Sequence, residues 1–260
     1  MKFLAFAVAT SAAMTALPAM AQWSGSIGGG VRHFQLTERD PIGRAIVHEN
    51  GSLTGVATDI AYVHRDWRLF GAAELYTGNI DYRGQTQTGQ TIASDTDHHM
   101  LGLRTGAIYQ LNAIAGVLAA LEWERWQRKI HGVSGATGLQ ERATTKRLIA
   151  GVTAHWSLPQ YGVVETDAAI VLARPERLDV GFSGVFDSAH LTTRSSTGLR
   201  LEARLRSDKV PKVEARVRYD ASRIGRSEDA TLTSQGVPAG AVAQPARSRQ
   251  SLTTSLHYLF

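Results

Sequence analysis

Apolar and polar residues alternate strictly along many segments of this chain. Residues 199–206 read Leu-Arg-Leu-Glu-Ala-Arg-Leu-Arg, and residues 67–75 and 213–219 alternate in the same way. Because successive side chains of an extended strand point to opposite faces, each segment has one apolar face and one charged face. The pattern therefore predicts an all-β protein.

Several alternating segments are longer than the strands of soluble domains. Those strands usually have about five or six residues, whereas a strand tilted across a bilayer needs about nine to eleven. When turns are taken as breaks, the sequence predicts ten strands, with eight or twelve as alternatives. They lie at residues 23–36, 53–64, 67–82, 96–110, 114–130, 144–156, 161–173, 191–206, 213–223 and 248–260. Residues 178–186 are either a strand extension or part of a loop.

The connections between these strands alternate in length. Residues 65–66, 111–113, 157–160 and 207–211 form short turns, whereas residues 83–95, 131–143 and 224–247 form long, polar loops. Short turns at one end, long loops at the other and an even number of strands are typical of outer-membrane barrels. We therefore predict a transmembrane antiparallel up-and-down β-barrel with both chain ends on the short-turn side.

The last strand carries a distinctive apolar face formed by Leu252, Leu256, Tyr258 and the terminal Phe260. This face resembles the C-terminal signature of bacterial outer-membrane β-barrel proteins, whose final aromatic residue is read by the barrel-assembly machinery. The resemblance covers the last strand closely and the rest of the chain only in pattern. It implies a location in the bacterial outer membrane, these four residues as the assembly signal, and membrane lipid and the assembly machinery as partners.

The N-terminal residues predict export. Lys2 precedes an apolar run at residues 3–16, and Ala19-Met20-Ala21 follows Pro18. This order is typical of a secretory signal peptide, and the apolar run is shorter than the roughly 20 residues of a membrane-spanning helix. We predict a signal peptide at residues 1–21 and a barrel domain at residues 22–260.

The charged faces of the strands predict what fills the barrel. A ten-stranded barrel has a narrow lumen, and charges of both signs on neighbouring strands can pair across it. We expect a largely plugged interior with water between ion pairs, and a weak preference for anions in any open path. The predicted lumen charges are Arg68, Glu74, Arg104, Glu122, Glu124, Arg128, Arg147, Glu165, Asp167, Arg200, Glu202, Arg204, Arg206, Glu214, Arg216 and Arg218.

Composition narrows the range of partners and cofactors. The chain has 28 Lys and Arg residues against 23 Asp and Glu residues. The arginines alternate with apolar residues instead of clustering, so nucleic acid is not expected as a partner. Cysteine is absent, which excludes disulfides, thiolate metal sites and a cysteine nucleophile. No cofactor or metal is expected.

Two acidic, histidine-containing segments are candidates for catalysis at the rim. Asp95 and Asp97 lie at the end of the predicted loop between the third and fourth strands, and Asp187 and His190 lie in the predicted loop between the seventh and eighth strands. The arrangement resembles omptins, ten-stranded outer-membrane proteases that activate water between an Asp pair and an Asp-His pair. Omptins carry Asp-x-His, whereas two residues separate Asp187 from His190 here, which favours opposite faces in a strand. A divalent cation bound by Asp95, Asp97, His98 and His190 is an alternative.

Together these observations predict a non-enzymatic outer-membrane barrel with a structural or binding role. Its long extracellular loops would bind a ligand outside the cell, because loops on a rigid scaffold often carry recognition. Two alternatives remain at this stage. The first is an omptin-like rim protease, and the second is a narrow, weakly anion-selective pore.

Overall fold

The computed structural model describes residues 22–85, 89–134 and 136–260. The predicted signal peptide, residues 1–21, lies outside the described residues. Among the described residues no helix is long and apolar enough to span a membrane. The strands are β1 (Gln22–Arg39), β2 (Ala45–His64), β3 (Trp67–Gln85), β4 (Thr91–Gln110), β5 (Ala115–Ile130), β6 (Leu139–Leu158), β7 (Gly162–Ala173), β8 (Arg177–Gly181), β9 (Ala189–Thr192), β10 (Ser196–Arg206), β11 (Val213–Ile224), β12 (Ala230–Ser234), β13 (Val237–Val242) and β14 (Ala246–Leu259).

The strands form a closed antiparallel barrel whose wall is ten strands around, which confirms the predicted fold class. Each strand pairs with its neighbour in sequence from β1 to β7, and β14 closes the ring between β11 and β1. β8 takes over from β7 in pairing with β6, and β9 pairs with β8. The pairs β7–β8 and β9–β10 therefore each act as one long wall strand. Of residues 178–186, residues 178–181 belong to this strand extension and residues 182–186 to the loop that follows it.

The wall strands reach further toward the long loops than the sequence predicts. β2 begins at Ala45 instead of residue 53, β4 at Thr91 instead of residue 96, and β6 at Leu139 instead of residue 144. The predicted loop at residues 224–247 contains the β12–β13 hairpin. These predictions were wrong because the extensions lie beyond the membrane, where outward positions are polar and the apolar alternation stops.

The barrel has two halves with opposite patterns. In the lower half, nearer the short turns, outward residues are apolar and exposed, and inward residues combine many charges with small and apolar side chains such as Ile108, Leu118 and Ile149. In the upper half, nearer the long loops, outward residues such as His99 are polar and exposed. Inward residues there form an apolar cluster, which we call the upper core: Phe34, Leu36, Leu53, Tyr76, Ile80, Met100, Trp126, Ala143, Leu178, Val180 and Leu191.

An exposed apolar belt surrounds the lower half. On two neighbouring strands, for example, Leu121 of β5 is 62% exposed and Val152 of β6 is 57% exposed. Trp67 and Tyr258 lie at the lower edge of the belt, as expected for interfacial aromatic residues. Trp123 on β5 and Tyr219 on β11 lie mid-strand and mark the upper edge of the belt.

Candidate functional site

Arginines bridge several carboxylates in the lower lumen. Arg204 contacts Glu165 at 2.7 Å, Asp167 at 2.8 Å and Glu202 at 2.7 Å. Arg68 on the opposite part of the wall also reaches Glu165, at 2.9 Å. Alternation along β7 and β10 points the carboxylates and Arg204 inward. Arg204 therefore links β10 to β7, and Arg68 reaches β7 across the lumen from β3.

A second group of ion pairs lies higher in the lumen, around Glu122. This carboxylate on β5 contacts Arg147 on β6 at 2.7 Å and Arg200 on β10 at 2.8 Å. Arg147 also contacts Glu124 at 2.8 Å. Since β6 and β7 stand between β5 and β10 in the wall, the Glu122–Arg200 pair bridges part of the lumen.

The remaining predicted lumen charges join the same network. Arg218 contacts Glu74 at 2.7 Å, and Arg216 contacts Glu214 at 2.6 Å. Arg104 lies 3.7 Å from Glu202. Arg206 contacts Glu214 at 3.2 Å, but its side chain is half exposed near the short turn that follows β10.

Sequence reasoning missed several charges that complete these pairs. Some lie in strand extensions that were taken for loops, and others are single charges among small residues. Alternation identifies those inside the predicted strands, because the residue next to an outward-facing apolar residue points inward, as Arg32 does beside Val31. The missed residues are Arg32, Glu38, Glu49, Asp59, Glu141, Glu176, Asp220, Arg247 and Arg249.

Arg128 organises the most deeply buried ionic group, beside the upper core. Its guanidinium contacts Glu38 at 2.8 Å and Glu49 and Glu141 at 2.9 Å each. Its side chain is 1% exposed. The carboxylates come from β1, β2 and β6, so this single cation ties together strands from separate parts of the wall.

Next to this group, aromatic rings close the upper lumen. Trp126 donates a hydrogen bond from Nε1 to Nδ1 of His98 at 2.9 Å. Phe34 packs against both rings, with centroids 5.2 Å from His98 and 6.0 Å from Trp126. Arg247 and Arg249 lie against the Trp126 ring. The barrel is thus filled by apolar and aromatic packing above, and below by ion pairs together with a second buried apolar cluster that includes Ile108, Leu118 and Ile149.

Little space remains inside the barrel. Three cavities within the lumen have volumes of about 40, 40 and 30 Å³. A water molecule needs about 10–15 Å³ of such space, so each cavity has room for no more than a few waters. The larger spaces lie outside, as two grooves of about 670 and 470 Å³ on the upper wall.

The two grooves adjoin on the outward face of β5, β6 and β8. They share Lys129, Gln140, Gly181 and Ser188. The loop that connects β8 and β9 borders the larger groove, with Phe182 and Phe186 packed edge to face at 5.9 Å between centroids. We call this concave surface the upper groove.

Asp95 and Asp97 do not lie in a loop. Both are within β4, on the same outward face as the exposed Leu101. Asp97 accepts hydrogen bonds from Asn79 Nδ2 at 2.9 Å and is 2.8 Å from His131 Nε2. The prediction of a rim loop was wrong because the hairpin β3–β4 continues well above the membrane, and these side chains point away from the lumen.

His190 and Asp187 are also separate. His190 lies on β9 and its Nδ1 is 2.6 Å from Asp179 on β8, its partner across the strands. Both side chains are exposed. β5, β6 and β8 stand between Asp97 on β4 and His190 on β9, so four strand spacings of about 4.8 Å separate them by about 19 Å.

The four catalytic candidates therefore do not converge on one reacting centre. The alternative cation site fails for the same reason, because His98 points inward and Asp95 and Asp97 point outward. No group of three or more His, Asp or Glu side chains suited to a metal ion occurs in the described part of the chain.

Asp187 has a structural role in the turn between β12 and β13. It accepts hydrogen bonds from Thr233 Oγ1 at 2.6 Å and from the backbone amides of Gly236 at 2.9 Å and Gln235 at 3.2 Å. These bonds, with that from Thr233 the strongest influence, hold the pKa of Asp187 below its ordinary value of 3.8. Asp187 is therefore a carboxylate that fastens one loop to another.

This contact should respond to acid. Because the folded pKa is depressed, the contribution of Asp187 is complete above about pH 4 and is lost as the pH falls through the folded pKa. We expect the NMR shift of the Gly236 amide to titrate with a midpoint below 3.8. Asp187→Asn should abolish this titration. A midpoint above 3.8 would show that the three hydrogen bonds do not form in solution.

No protein-family model matches the chain, and no curated protein matches its sequence. Solved structures do match in shape. The outer membrane protease OmpT from Escherichia coli aligns with a TM-score of 0.61 and 10% identity, over 95% of this chain and 99% of that one. The translocator domain of the autotransporter NalP from Neisseria meningitidis aligns with a TM-score of 0.46 and 14% identity, over 90% of this chain and 88% of that one. The Yersinia pestis protein Ail aligns with a TM-score of 0.40 and 10% identity, over 92% of this chain and 99% of that one.

The chain has the outer-membrane β-barrel fold. In lipid every backbone polar group must be paired, so a sheet can cross a bilayer when it closes on itself, as this one does. The exposed apolar belt supplies the surface that lipid requires. The closed wall and the belt place this barrel in the bacterial outer membrane, as predicted.

The assembly-signal residues lie on the lipid side of this barrel. Leu252, Leu256 and Tyr258 on β14 and the adjacent Phe260 are 46%, 63%, 49% and 63% exposed. β14 is a seam strand, because it pairs with β1 and so joins the two ends of the chain. An interaction of this face with the assembly machinery remains a prediction.

Proposed function

We propose that this outer-membrane barrel is a closed, non-enzymatic binding protein that acts through its extracellular upper wall and loops. The contrast between interior and exterior space carries the proposal. The lumen cavities measure about 30–40 Å³ and hold no more than a few waters each, whereas the upper groove offers two adjoining spaces of about 670 and 470 Å³. A ligand therefore has room outside the barrel and none inside.

The upper groove has the features of a recognition surface. Its walls belong to a rigid sheet, and its far side is a loop held by Asp187. Polar and charged groups such as Lys129, Gln140 and Arg142 line it, together with the aromatic Phe182. A surface of this kind suits a polar extracellular ligand, because fixed hydrogen-bonding groups need no ordering on binding.

Conductance tests the closed lumen. We expect the barrel, refolded into a planar bilayer, to show no steady conductance at either of two salt concentrations. The double variant Phe34→Ala and Trp126→Ala removes aromatic packing from the upper core and should produce measurable openings. Steady conductance of the wild type with a preference for anions would instead establish the pore.

A groove-filling variant tests the binding surface. Gly181→Trp puts a bulky side chain in the part shared by both spaces, and Gly71→Trp adds the same side chain at an outward position of β3 within the apolar belt. Glycan-array binding by the labelled wild-type barrel should be lost in the first variant and kept in the second. Equal binding by both variants, or cleavage of a peptide library by the wild type, would refute the proposal.

A further inference from the structure

Five outward-facing cations lie together at the upper edge of the apolar belt. We call this group the basic patch: Arg125 on β5, Arg142 and Lys146 on β6, Arg174 directly after β7, and Arg177 on β8. All are outside the lumen, and all but the half-buried Arg125 are exposed. The patch occupies one side of the barrel, next to the upper groove and below most of it.

The register places the patch directly above lipid-facing residues. Lys146 is paired with Trp123 across the strands. It is the next outward residue above Leu148 on β6, toward the long loops. Arg174 is the next outward residue after Leu172, and its amide donates to the carbonyl of Lys146 at 3.0 Å. Arg125 is paired with Thr144 one step higher. On these three strands the first outward residue above the apolar belt is therefore cationic.

Corresponding positions on other strands carry neither Lys nor Arg. The first outward residues above the belt include Thr54 on β2, Thr77 on β3, His99 on β4, Thr197 on β10 and Gln250 on β14. The positive charge is thus concentrated over a width of three neighbouring strands, about 10 Å at the usual spacing. That width matches one lipid headgroup with two phosphates or two adjacent headgroups with one each.

The patch cations lack internal partners. In the part of the chain that the structure describes, none of the five forms an ion pair with a carboxylate. Asp179, which faces Arg142 across the strands, is bonded to His190 instead. Lumen arginines such as Arg204 each contact carboxylates at short distance. The charge of the patch therefore remains available to an external anion.

We propose that the basic patch binds the phosphate groups of an anionic lipid in the outer leaflet, with the acyl chains against the apolar belt. Phosphates lie immediately above the acyl region, which is the level that Arg125, Lys146 and Arg174 occupy. Guanidinium groups bind phosphate oxygens in pairs, and an ammonium adds a point charge. Arg142 also lines the upper groove, but Arg125, Lys146 and Arg174 do not, so a site built on these three cations goes beyond the proposed function.

The test compares a patch variant with a matched control in neutral detergent micelles. Arg125→Gln, Lys146→Gln and Arg174→Gln are combined in the patch variant. Binding of fluorescent diphosphoryl lipid A should weaken at least tenfold, because each cation near an anionic lipid surface contributes to affinity. Binding of fluorescent phosphatidylcholine should not change. Added salt should weaken wild-type binding of the phosphorylated lipid.

The control variant loses the same charge at scattered outward positions. It combines Arg39→Gln, Arg83→Gln and Arg223→Gln on β1, β3 and β11. We expect its affinity for diphosphoryl lipid A to stay within twofold of the wild type. Similar weakening in the patch and control variants would show a general charge effect, and no weakening in the patch variant would overturn the site.

Two further arms separate the remaining explanations. Inositol hexakisphosphate, a soluble polyanion without acyl chains, should bind far more weakly than the lipid. If it binds equally and the patch variant abolishes this binding, the lipid proposal is wrong. If the triple variant fails to give the heat-modifiable folded form, Lys146→Gln and Arg174→Gln are tested singly, since both side chains are exposed.

Discussion

Arg128→Met should lower the free energy of unfolding by about 3–5 kcal/mol, because it leaves buried carboxylates without their cation. Glu38, Glu49 and Glu141 are 5%, 0% and 8% exposed and all contact this guanidinium. Methionine preserves much of the volume, so the loss measures charge compensation more than packing. Urea unfolding of the barrel in lipid vesicles, followed by heat-modifiable gel mobility, gives the free energy.

Two companion variants make this result specific. Arg142→Met removes an exposed outward arginine from the neighbouring strand β6 and should change the free energy by less than about 0.5 kcal/mol. Adding Glu49→Gln to Arg128→Met should restore part of the loss, since the two residues are directly coupled. Equal losses for Arg128→Met and Arg142→Met would mean that the buried ionic group does not stabilise the barrel.

Gly28→Ala should prevent efficient closure of the barrel. A Cβ at this inward position of β1 would lie 2.4 Å from the carbonyl oxygen of Leu256 and 2.6 Å from Cγ of His257 on β14. A backbone oxygen cannot rotate away, so the β1–β14 seam must shift. Overpacking of this kind costs about 1–3 kcal/mol or more. The fraction of heat-modifiable barrel after refolding should fall sharply.

The adjacent glycine supplies the control. A Cβ at Gly29 points outward and meets nothing closer than the carbonyl oxygen of Gly55 at 3.7 Å. Gly29→Ala should therefore fold as well as the wild type, or slightly better because alanine restricts the unfolded chain. If both variants refold equally, the close approach of β1 and β14 does not limit assembly.

The sequence alone determined the architecture of the membrane-spanning half. Lipid on one side and a narrow lumen on the other impose a strict two-residue period, and segments such as residues 199–206 display it without interruption. The same period points all the predicted lumen charges, Arg204 among them, toward the interior. Short turns such as residues 65–66 then fix the strand order, because each joins neighbours in an antiparallel wall.

The upper half could not be predicted from that period. Its outward residues face water and its inward residues form the upper core, so the pattern reverses along a single strand, as on β4 between Asp97 and Leu101. A strand that changes pattern in this way resembles a loop when examined by sequence alone. Asp95 and Asp97 were assigned to a rim loop for this reason.

Which groups meet is decided by the tertiary structure. Alternation places Glu122 and Arg200 on inward faces, but only the curvature of the closed wall brings these residues, which are three strands apart, together across the lumen. Closure and register likewise separate Asp97 from His190 and assemble the basic patch from three strands. A period of two specifies the face of each residue, whereas its partners depend on which strands become neighbours when the sheet closes.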